Sequence, residues 1–214
     1  MRTPALLAAC LLAAPAVAQP SFGVRAGLSA ASLRVEGEEL VSTADRSQTR
    51  AARVGVAAGA WARLGVTPRL SVQAEASFVQ KGSRFTDDIP GFRTQTNDTD
   101  LAYLEVPVLA RYAAVRSPGL DAGVYAGPAL GLLLSDTETI TVDGGEPSQA
   151  LEQYTTTDLG VAVGVDVARG AVGADLRYTL GLADVLDPQA AFGGASGAVA
   201  RNGALTLAVT YRLR

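Results

Sequence analysis

Glu75 and Glu105 are two carboxylates that a two-residue alternation places on the same face of neighbouring predicted strands, together with Lys81 and Arg111. Paired carboxylates of this kind are the groups that general acid–base catalysis uses. They equally suit a network of buried ion pairs, which we favour because the chain contains no histidine. Without histidine, Ser-His-Asp and Asp-His hydrolytic sites and the commonest metal ligand are excluded. We therefore predict that the chain is not an enzyme and has no catalytic residue, cofactor or metal site.

A second group of carboxylates lies between Ser135 and Thr156, where five acidic residues occur with no Lys or Arg. Carboxylate oxygens can bind divalent cations, but the segment lacks the spaced ligands of a calcium loop, and a solvated surface loop is favoured. The net charge of −3 and the absence of a phosphate-cradling glycine loop argue against nucleic acid as a partner.

The strand that would carry Glu75 has two unlike faces. Leu70, Val72 and Phe78 alternate with Ser71, Gln73 and Glu75, which is the pattern of a strand with one apolar and one polar face. Seven other segments show the same pattern. The eight predicted strands are Phe22–Leu33, Arg53–Leu64, Leu70–Lys81, Leu101–Tyr112, Leu120–Leu134, Thr157–Val167, Ala171–Leu182 and Gly203–Leu213.

In nearly all of these strands the charged residues share a face with the glycines, so the polar face points inward and the apolar face outward. The strands are long enough to cross a bilayer at a tilt. The chain is 48% hydrophobic, yet the best candidate helix, Gly119–Leu134, is interrupted by three further glycines and Pro128. We predict an all-β fold, an eight-stranded antiparallel up-and-down transmembrane β-barrel.

The predicted connections alternate in length, as short periplasmic turns and long external loops do. The short ones are 65–69, 113–119 and 168–170, and the long ones are 34–52, 84–100, 135–156 and 183–202. Trp61 and Tyr125 do not fit an interfacial girdle, because alternation points both into the lumen; a β-bulge could re-aim Trp61.

The N-terminus has the features of a secretory signal. Arg2 is followed by the apolar run Ala5–Ala14 and by Ala16-Val17-Ala18, a small-residue cleavage pattern. We predict a signal peptide over residues 1–18 and the barrel domain over 19–214. Leu7-Ala8-Ala9-Cys10 also resembles a lipoprotein cleavage box, but the apolar run before it would be too short.

Ten charged residues are predicted to point into the lumen, where their opposite signs allow them to pair and to pack the barrel. They are Arg25, Glu75, Lys81, Glu105, Arg111, Asp158, Asp166, Asp175, Arg177 and Arg212. The alternative is a water-soluble, lipocalin-like barrel with a ligand inside, which would require an apolar lumen and a wet exterior.

The run Leu101-Ala-Tyr-Leu-Glu-Val-Pro-Val-Leu-Ala-Arg-Tyr112 resembles a strand of the small outer-membrane β-barrel proteins labelled the porin or PorT family. Phe22–Leu28, Glu75–Gly82, Tyr125–Pro128 and Tyr211–Leu213 resemble other strands of that family in the same order. The resemblance implies a barrel in the outer membrane of a Gram-negative bacterium, in contact with outer-membrane lipid and inserted by the barrel-assembly machinery. It implies no particular activity.

Three roles fit these features. The leading hypothesis is a non-enzymatic barrel with a structural role or with surface interactions made by its long loops, since loops on a rigid scaffold often carry specificity. The polar lumen also allows a narrow porin-like channel for small solutes or ions. The third role, an accessory to secretion or envelope assembly, depends on the PorT label alone. The sequence identifies no ligand for the loops.

Overall fold

The computed structural model describes residues 20–36, 42–43, 46–145, 148–149, 154–185 and 199–213. The signal peptide predicted over 1–18 lies outside these residues. None of the described segments forms a helix that is long and apolar enough to cross a membrane. Eight long strands make up the fold: β1 (Ser21–Glu36), β2 (Arg46–Gly65), β3 (Leu70–Ile89), β4 (Arg93–Ser117), β5 (Leu120–Val142), β6 (Thr157–Arg169), β7 (Val172–Gly181) and β8 (Val199–Arg212).

The eight strands form a closed antiparallel ring. Each strand pairs with the next in sequence, and β1 pairs with both β2 and β8, in registers that include Ser21 with Arg63 and Gly23 with Arg212. Closure leaves no unpaired edge in the ring, which is the condition for a sheet to cross a membrane. The predicted up-and-down barrel is confirmed.

Side-chain exposure shows which face is which. In β3, Ser71, Gln73 and Glu75 are buried inside the ring, whereas Leu70 and Val72 are 39% and 42% exposed on its outside. Valine and leucine side chains are exposed in the same way around the other strands, so an apolar belt encircles the molecule. The lipocalin-like alternative is therefore wrong, because it requires the opposite arrangement.

The short turns lie at the end of the barrel where β1 begins and β8 ends, here called the terminal end. They are four residues between β2 and β3 and two residues each between β4 and β5 and between β6 and β7. The opposite end, which carries the other connections, is the loop end.

The long loop predicted over 84–100 is wrong. These residues continue β3 and β4 as a hairpin whose turn contains only Pro90, Gly91 and Phe92. Gly91 has a φ of 75°, and the Phe92 amide donates to the Ile89 carbonyl over 2.9 Å. The hairpin escaped the sequence prediction because both of its faces are polar, so the apolar alternation stops although the strands continue.

Three other boundaries move for the same reason. Strand β5 continues to Val142, so the predicted loop from Ser135 begins eight residues too early. Strand β1 runs on to Glu36, and β2 begins at Arg46 instead of Arg53. Two-residue strands, Ser42–Thr43 and Ser148–Gln149, pair with the ends of β2 and β5.

Four strands therefore continue past the apolar belt at the loop end and form what we call the rim sheet. It consists of 46–53 in β2, 82–89 in β3, 93–100 in β4 and 135–142 in β5. Eight residues of strand extend about 26 Å at about 3.3 Å per residue. Among the described residues, the rim sheet does not extend to the side of β6, which begins at Thr157, opposite Leu132.

Candidate functional site in the barrel lumen

The centre of the lumen holds a closed circuit of two arginines and two carboxylates, here called the central tier. Arg25 bonds Glu75 over 2.9 Å and Asp175 over 2.6 Å, while Arg177 bonds both oxygens of Glu75 over 2.9 and 2.7 Å. The four side chains are at most 5% exposed. Their formal charges cancel, which is what a buried cluster requires.

Neutral side chains complete the central tier. The Tyr125 hydroxyl donates to Asp175 over 2.6 Å, and the Gln73 amide donates to Glu75 over 2.6 Å. The Arg177 guanidinium lies 5.2 Å from the centre of the Tyr125 ring. Charge-assisted hydrogen bonds of this kind are stronger than neutral ones, so the tier links β1, β3, β5 and β7 across the lumen.

Nearer the loop end lies a second group, the loop-end tier, with one cation and two carboxylates. Lys81 Nζ lies 2.6 Å from Glu105 and 3.2 Å from Asp158, and it lies 4.8 Å from the centre of the Tyr103 ring. Asn202 donates to Asp158 over 2.9 Å. All of these side chains are buried, and the three formal charges sum to −1.

At the terminal end, four residues form the terminal-end tier. The Arg111 Nε atom lies 2.8 and 2.9 Å from the two oxygens of Asp166, and its Nη2 atom donates to Asp121 over 2.8 Å. Arg63 joins Asp166 over 3.2 Å and Gln73 over 2.6 Å. Gln73 therefore connects this tier to the central one.

Glycines on the inner face make room for the two lumen aromatics. Trp61 pairs with Gly23 across β1 and β2, and a Cβ on Gly23 would lie 2.3 Å from the Trp61 ring. Tyr125 pairs with Gly164, where a Cβ would lie 2.4 Å from the Tyr125 hydroxyl. Both aromatics are buried at 8% and 5% exposure, so no bulge re-aims Trp61.

The structure places eight of the ten predicted lumen residues in buried positions inside the ring. Asp166 is partly exposed, with 11% of its side chain accessible. Arg212 departs from the prediction: it is exposed at the terminal end and donates to the Gly170 carbonyl over 2.7 Å, so it joins none of the tiers. The reason is its place at the end of β8, where the lumen opens.

Sequence reasoning missed several members of the tiers. Arg63 and Asp121 are charged partners in the terminal-end tier, and Tyr103 and Asn202 complete the loop-end tier. Arg63 shares the face of Trp61, and Asp121 the face of Tyr125, so the alternation that found the others would have found both. Asn202 carried no charge and lay one residue outside its predicted strand.

Little space remains between these side chains. A cavity of about 40 Å³ lies near the terminal end between the central and terminal-end tiers, lined by Arg25, Trp61, Arg63, Glu75, Asp166 and Arg177, among others. Above the loop-end tier lies a buried apolar cluster of Leu33, Leu101, Tyr103, Val185 and Ala200. Among the described residues, the side chains of the three tiers and of this cluster pack the interior, as expected for eight strands.

The rim sheet carries its own ion pairs. Arg46 bonds both oxygens of Asp87 over 2.9 and 2.7 Å. The hydrogen bond from Arg46 is the main reason that the pKa of the Asp87 carboxyl lies below its ordinary value. This pairing is therefore present at neutral pH and is lost only as acid protonates Asp87.

Among the described residues, no group of three or more acidic side chains is placed to hold a metal ion. Asp136 and Glu138, predicted in the acidic loop, lie instead on strand β5, where Asn97 donates to Glu138 over 3.2 Å. Glu146 and Glu152 lie outside the described residues. Each carboxylate of the three tiers is paired with an arginine or lysine side chain. The lumen therefore holds its charges in fixed ion pairs.

The chain resembles a known protein family and several solved structures. Residues 17–187 match the family model described as outer membrane protein beta-barrel domain. Similar solved structures include Ail of Yersinia pestis, at 13% identity over 92% of this chain and 100% of that chain, with a TM-score of 0.44. Neisserial surface protein A is 18% identical over 91% of this chain and 99% of that one (TM-score 0.46). OprG from Pseudomonas aeruginosa is 10% identical over 91% and 96% (TM-score 0.47).

No curated protein matches the chain in sequence. The family model nevertheless covers 171 of the 214 residues, from 17 to 187, a range that includes strands β1 to β7 of the closed ring described above. The apolar belt on the outside of that ring is the surface that a membrane-spanning barrel presents to lipid. The chain therefore belongs to the outer membrane protein β-barrel domain family, and its location is the outer membrane of a Gram-negative bacterium.

Proposed function

We propose that this protein is a non-enzymatic outer-membrane barrel whose lumen is a packed support and whose loop end makes surface interactions. The observation that carries the proposal is the closed interior, in which charge-paired tiers and an apolar cluster fill the space between the strands. A rigid barrel of this kind holds the rim sheet above the membrane in a fixed geometry. Binding surfaces are often carried by such projecting elements on a rigid scaffold.

The apolar belt supports the proposal that the barrel contacts outer-membrane lipid. We further propose that the barrel-assembly machinery inserts the chain into that membrane. The rim sheet replaces part of the loop surface expected from the sequence, because the second external connection is only a three-residue turn. We infer that surface contacts are made by strand faces as well as by loops.

The closed lumen predicts that the purified protein does not conduct. In planar bilayers at neutral pH, wild-type protein should give no discrete conductance steps, because side chains of the central and loop-end tiers are at most 6% exposed. A known porin reconstituted in the same way serves as the control for insertion. Regular conductance steps from folded, heat-modifiable protein would support the porin-like alternative and overturn the packed-support proposal.

Orientation can be tested with single cysteines, since Cys10 is the only cysteine of the chain and falls within the predicted signal peptide. Phe92 is 76% exposed at the tip of the β3–β4 hairpin, whereas Ser117 lies at the turn of the terminal end. If the loop end faces outward, a membrane-impermeant maleimide should label F92C on intact cells and S117C only after the cells are broken. Labelling of S117C alone on intact cells would show the opposite orientation.

A further inference from the structure

The terminal end carries exposed arginines that, among the described residues, are paired with no carboxylate. They are Arg69 in the turn between β2 and β3, Arg116 near the end of β4, Arg169 at the end of β6 and Arg212 at the end of β8. Asp121 and Asp166, the carboxylates of the terminal-end tier, are already bound to Arg111. Since Arg63 and Arg111 balance these two carboxylates, the four arginines leave this end with an excess of four positive formal charges.

Two of these arginines meet at the turn between β2 and β3. Arg116 donates to the carbonyl of Pro68, the residue before Arg69 in the chain. The Arg69 guanidinium donates to the Tyr112 hydroxyl over 3.2 Å. Tyr112 is exposed on the outside of the ring, where it lies opposite Leu70. This turn therefore holds two guanidiniums and a tyrosine at the margin of the apolar belt.

The other two arginines repeat this arrangement at the turn between β6 and β7. Arg212 donates to the carbonyl of Gly170, the residue after Arg169 in the chain, over 2.7 Å. Arg169, Val172 and Tyr211 are direct partners on three neighbouring strands, so they share one face of the sheet. That face is the outside of the ring, where Val172 and Tyr211 are exposed. A second pair of guanidiniums therefore lies beside a second exposed tyrosine.

Two guanidiniums at one turn form a site for an anion. Like charges repel each other, and an anion that lies between them turns this repulsion into attraction. Each guanidinium has five N–H donors, and the hydrogen bonds described above leave most of them available. A phosphate group matches such a pair, because it offers several acceptor oxygens to the planar guanidiniums.

The apolar surface beside each pair indicates an amphiphile as the ligand. Exposed tyrosines at the end of a transmembrane barrel lie at the level of the lipid headgroups. The next outward residues toward the loop end are exposed valines, namely Val72 near the first pair and Val167 and Val209 near the second. A phosphate bound at the arginines therefore leaves acyl chains in contact with the apolar belt. A zwitterionic headgroup is disfavoured, because the paired guanidiniums repel its ammonium group.

We propose that the two arginine pairs bind the phosphate headgroups of anionic phospholipids in the leaflet that faces the periplasm. Each pair holds one headgroup, and the neighbouring tyrosine hydroxyl donates a further hydrogen bond to the phosphate. The assignment to this leaflet rests on the proposed function, in which the loop end faces outward. Labelling of S117C alone on intact cells would overturn that assignment. The lipid binding itself is measured on purified protein and is independent of orientation and of conductance.

The test presents the folded protein in detergent micelles with equal amounts of phosphatidylglycerol, which is anionic, and phosphatidylethanolamine, which is zwitterionic. Both lipids carry the same acyl chains, and the lipid that co-elutes with each barrel is counted by mass spectrometry. R69Q/R116Q and R169Q/R212Q each remove one arginine pair, and the combined variant removes both. Heat-modifiable gel migration verifies that each variant is folded.

The matched control removes exposed arginines from the loop end and changes the net charge by as much as the combined variant does. It is R34Q/R46Q/R84Q/R93Q. Wild-type protein and this control should retain one phosphatidylglycerol per arginine pair, in preference to phosphatidylethanolamine. Each pair variant should bind phosphatidylglycerol about thirtyfold more weakly at the altered turn, as expected for two basic side chains at a membrane surface. The combined variant should show no preference between the lipids.

Equal retention of the two lipids by wild-type protein, or of phosphatidylglycerol by wild-type protein and the combined variant, would overturn the proposal. Equal loss of phosphatidylglycerol in the loop-end control would do the same, because it would show an effect of net charge alone. Displacement of the lipid by glycerol phosphate would identify a soluble anion as the ligand, and displacement by polyglutamate would identify an acidic protein segment; either result contradicts the proposal.

A salt titration of wild-type protein tests the same inference without any variant. Raising the salt concentration from about 0.1 M to about 1 M shortens the Debye length from about 10 Å to about 3 Å. The preference for phosphatidylglycerol should then disappear, because the paired arginines are exposed. A preference that does not change with salt would show that the arginines do not select the headgroup.

Discussion

Replacing Glu75 by glutamine is expected to lower the free energy of unfolding of the barrel by about 3–5 kcal/mol. Glu75 neutralises both Arg25 and Arg177, and its side chain is only 1% exposed. Glutamine keeps the volume but leaves two buried guanidiniums with Asp175 as their only remaining carboxylate in the tier. The measurement is urea unfolding in detergent micelles, with the folded and unfolded fractions read from their separate bands on gels.

The matched control is Asp98→Asn on the rim sheet. Asp98 also pairs with arginine, but the Arg84 side chain is 57% exposed and water can replace the lost bond. An exposed pair of this kind contributes at most about 1 kcal/mol. The double variant E75Q/R177Q should be less destabilised than E75Q, because it restores the charge balance with Arg25 and Asp175. Equal effects of Glu75→Gln and Asp98→Asn would show that the central tier does not act as a buried charge cluster.

Replacing Lys81 by methionine should have an effect of similar size, about 3–5 kcal/mol. Lys81 is the cation that separates Glu105 from Asp158, and all three side chains are at most 6% exposed. Methionine fills the space of the aliphatic stem, so the loss is electrostatic: two carboxylates remain buried without a cation. The same urea titration measures the change.

A variant without charges in the loop-end tier distinguishes an electrostatic effect of the Lys81 substitution from a simple packing defect. The triple variant K81M/E105Q/D158N carries three substitutions, yet it leaves no buried charge in the loop-end tier. It should be more stable than K81M alone, because uncharged side chains of similar size can replace a buried ion cluster at little cost. A triple variant less stable than K81M would show that the hydrogen bonds of Glu105 and Asp158 matter more than their charges.

The apolar alternation located the eight strands and the direction of their faces, because lipid on one side and a narrow interior on the other impose opposite demands on successive residues. Glu75, Lys81 and Arg177 were found in this way. The same signal ended where the strands left the membrane. Residues 84–89 and 93–100 carry polar side chains on both faces, and their strand character depends on threonines and cross-strand ion pairs, which a search for apolar periodicity does not detect.

The tertiary structure alone decided which charges meet. Arg25 and Glu75 are 50 residues apart in sequence, and Arg177 and Glu75 are 102 apart, so their pairing depends on ring closure and on the register of several strands. The pairing of β7 with both β6 and β8 also brings Asn202 to Asp158, and the fold places Val185 in the apolar cluster above them. The alignment of Thr49, Thr86, Thr96 and Thr141 on four neighbouring strands likewise depends on register, since these residues lie opposite one another only when the hairpins pair as they do.

An all-β barrel with an apolar exterior and a charged interior follows from the sequence, because that information lies in the alternation of neighbouring residues along each strand. The three tiers, the packing of the lumen and the rim sheet do not follow from it. Those features depend on how far each strand continues and on which residues of distant strands lie opposite one another. Backbone pairing between neighbouring strands sets the register of the rim sheet, and ring closure then sets which charges meet across the lumen.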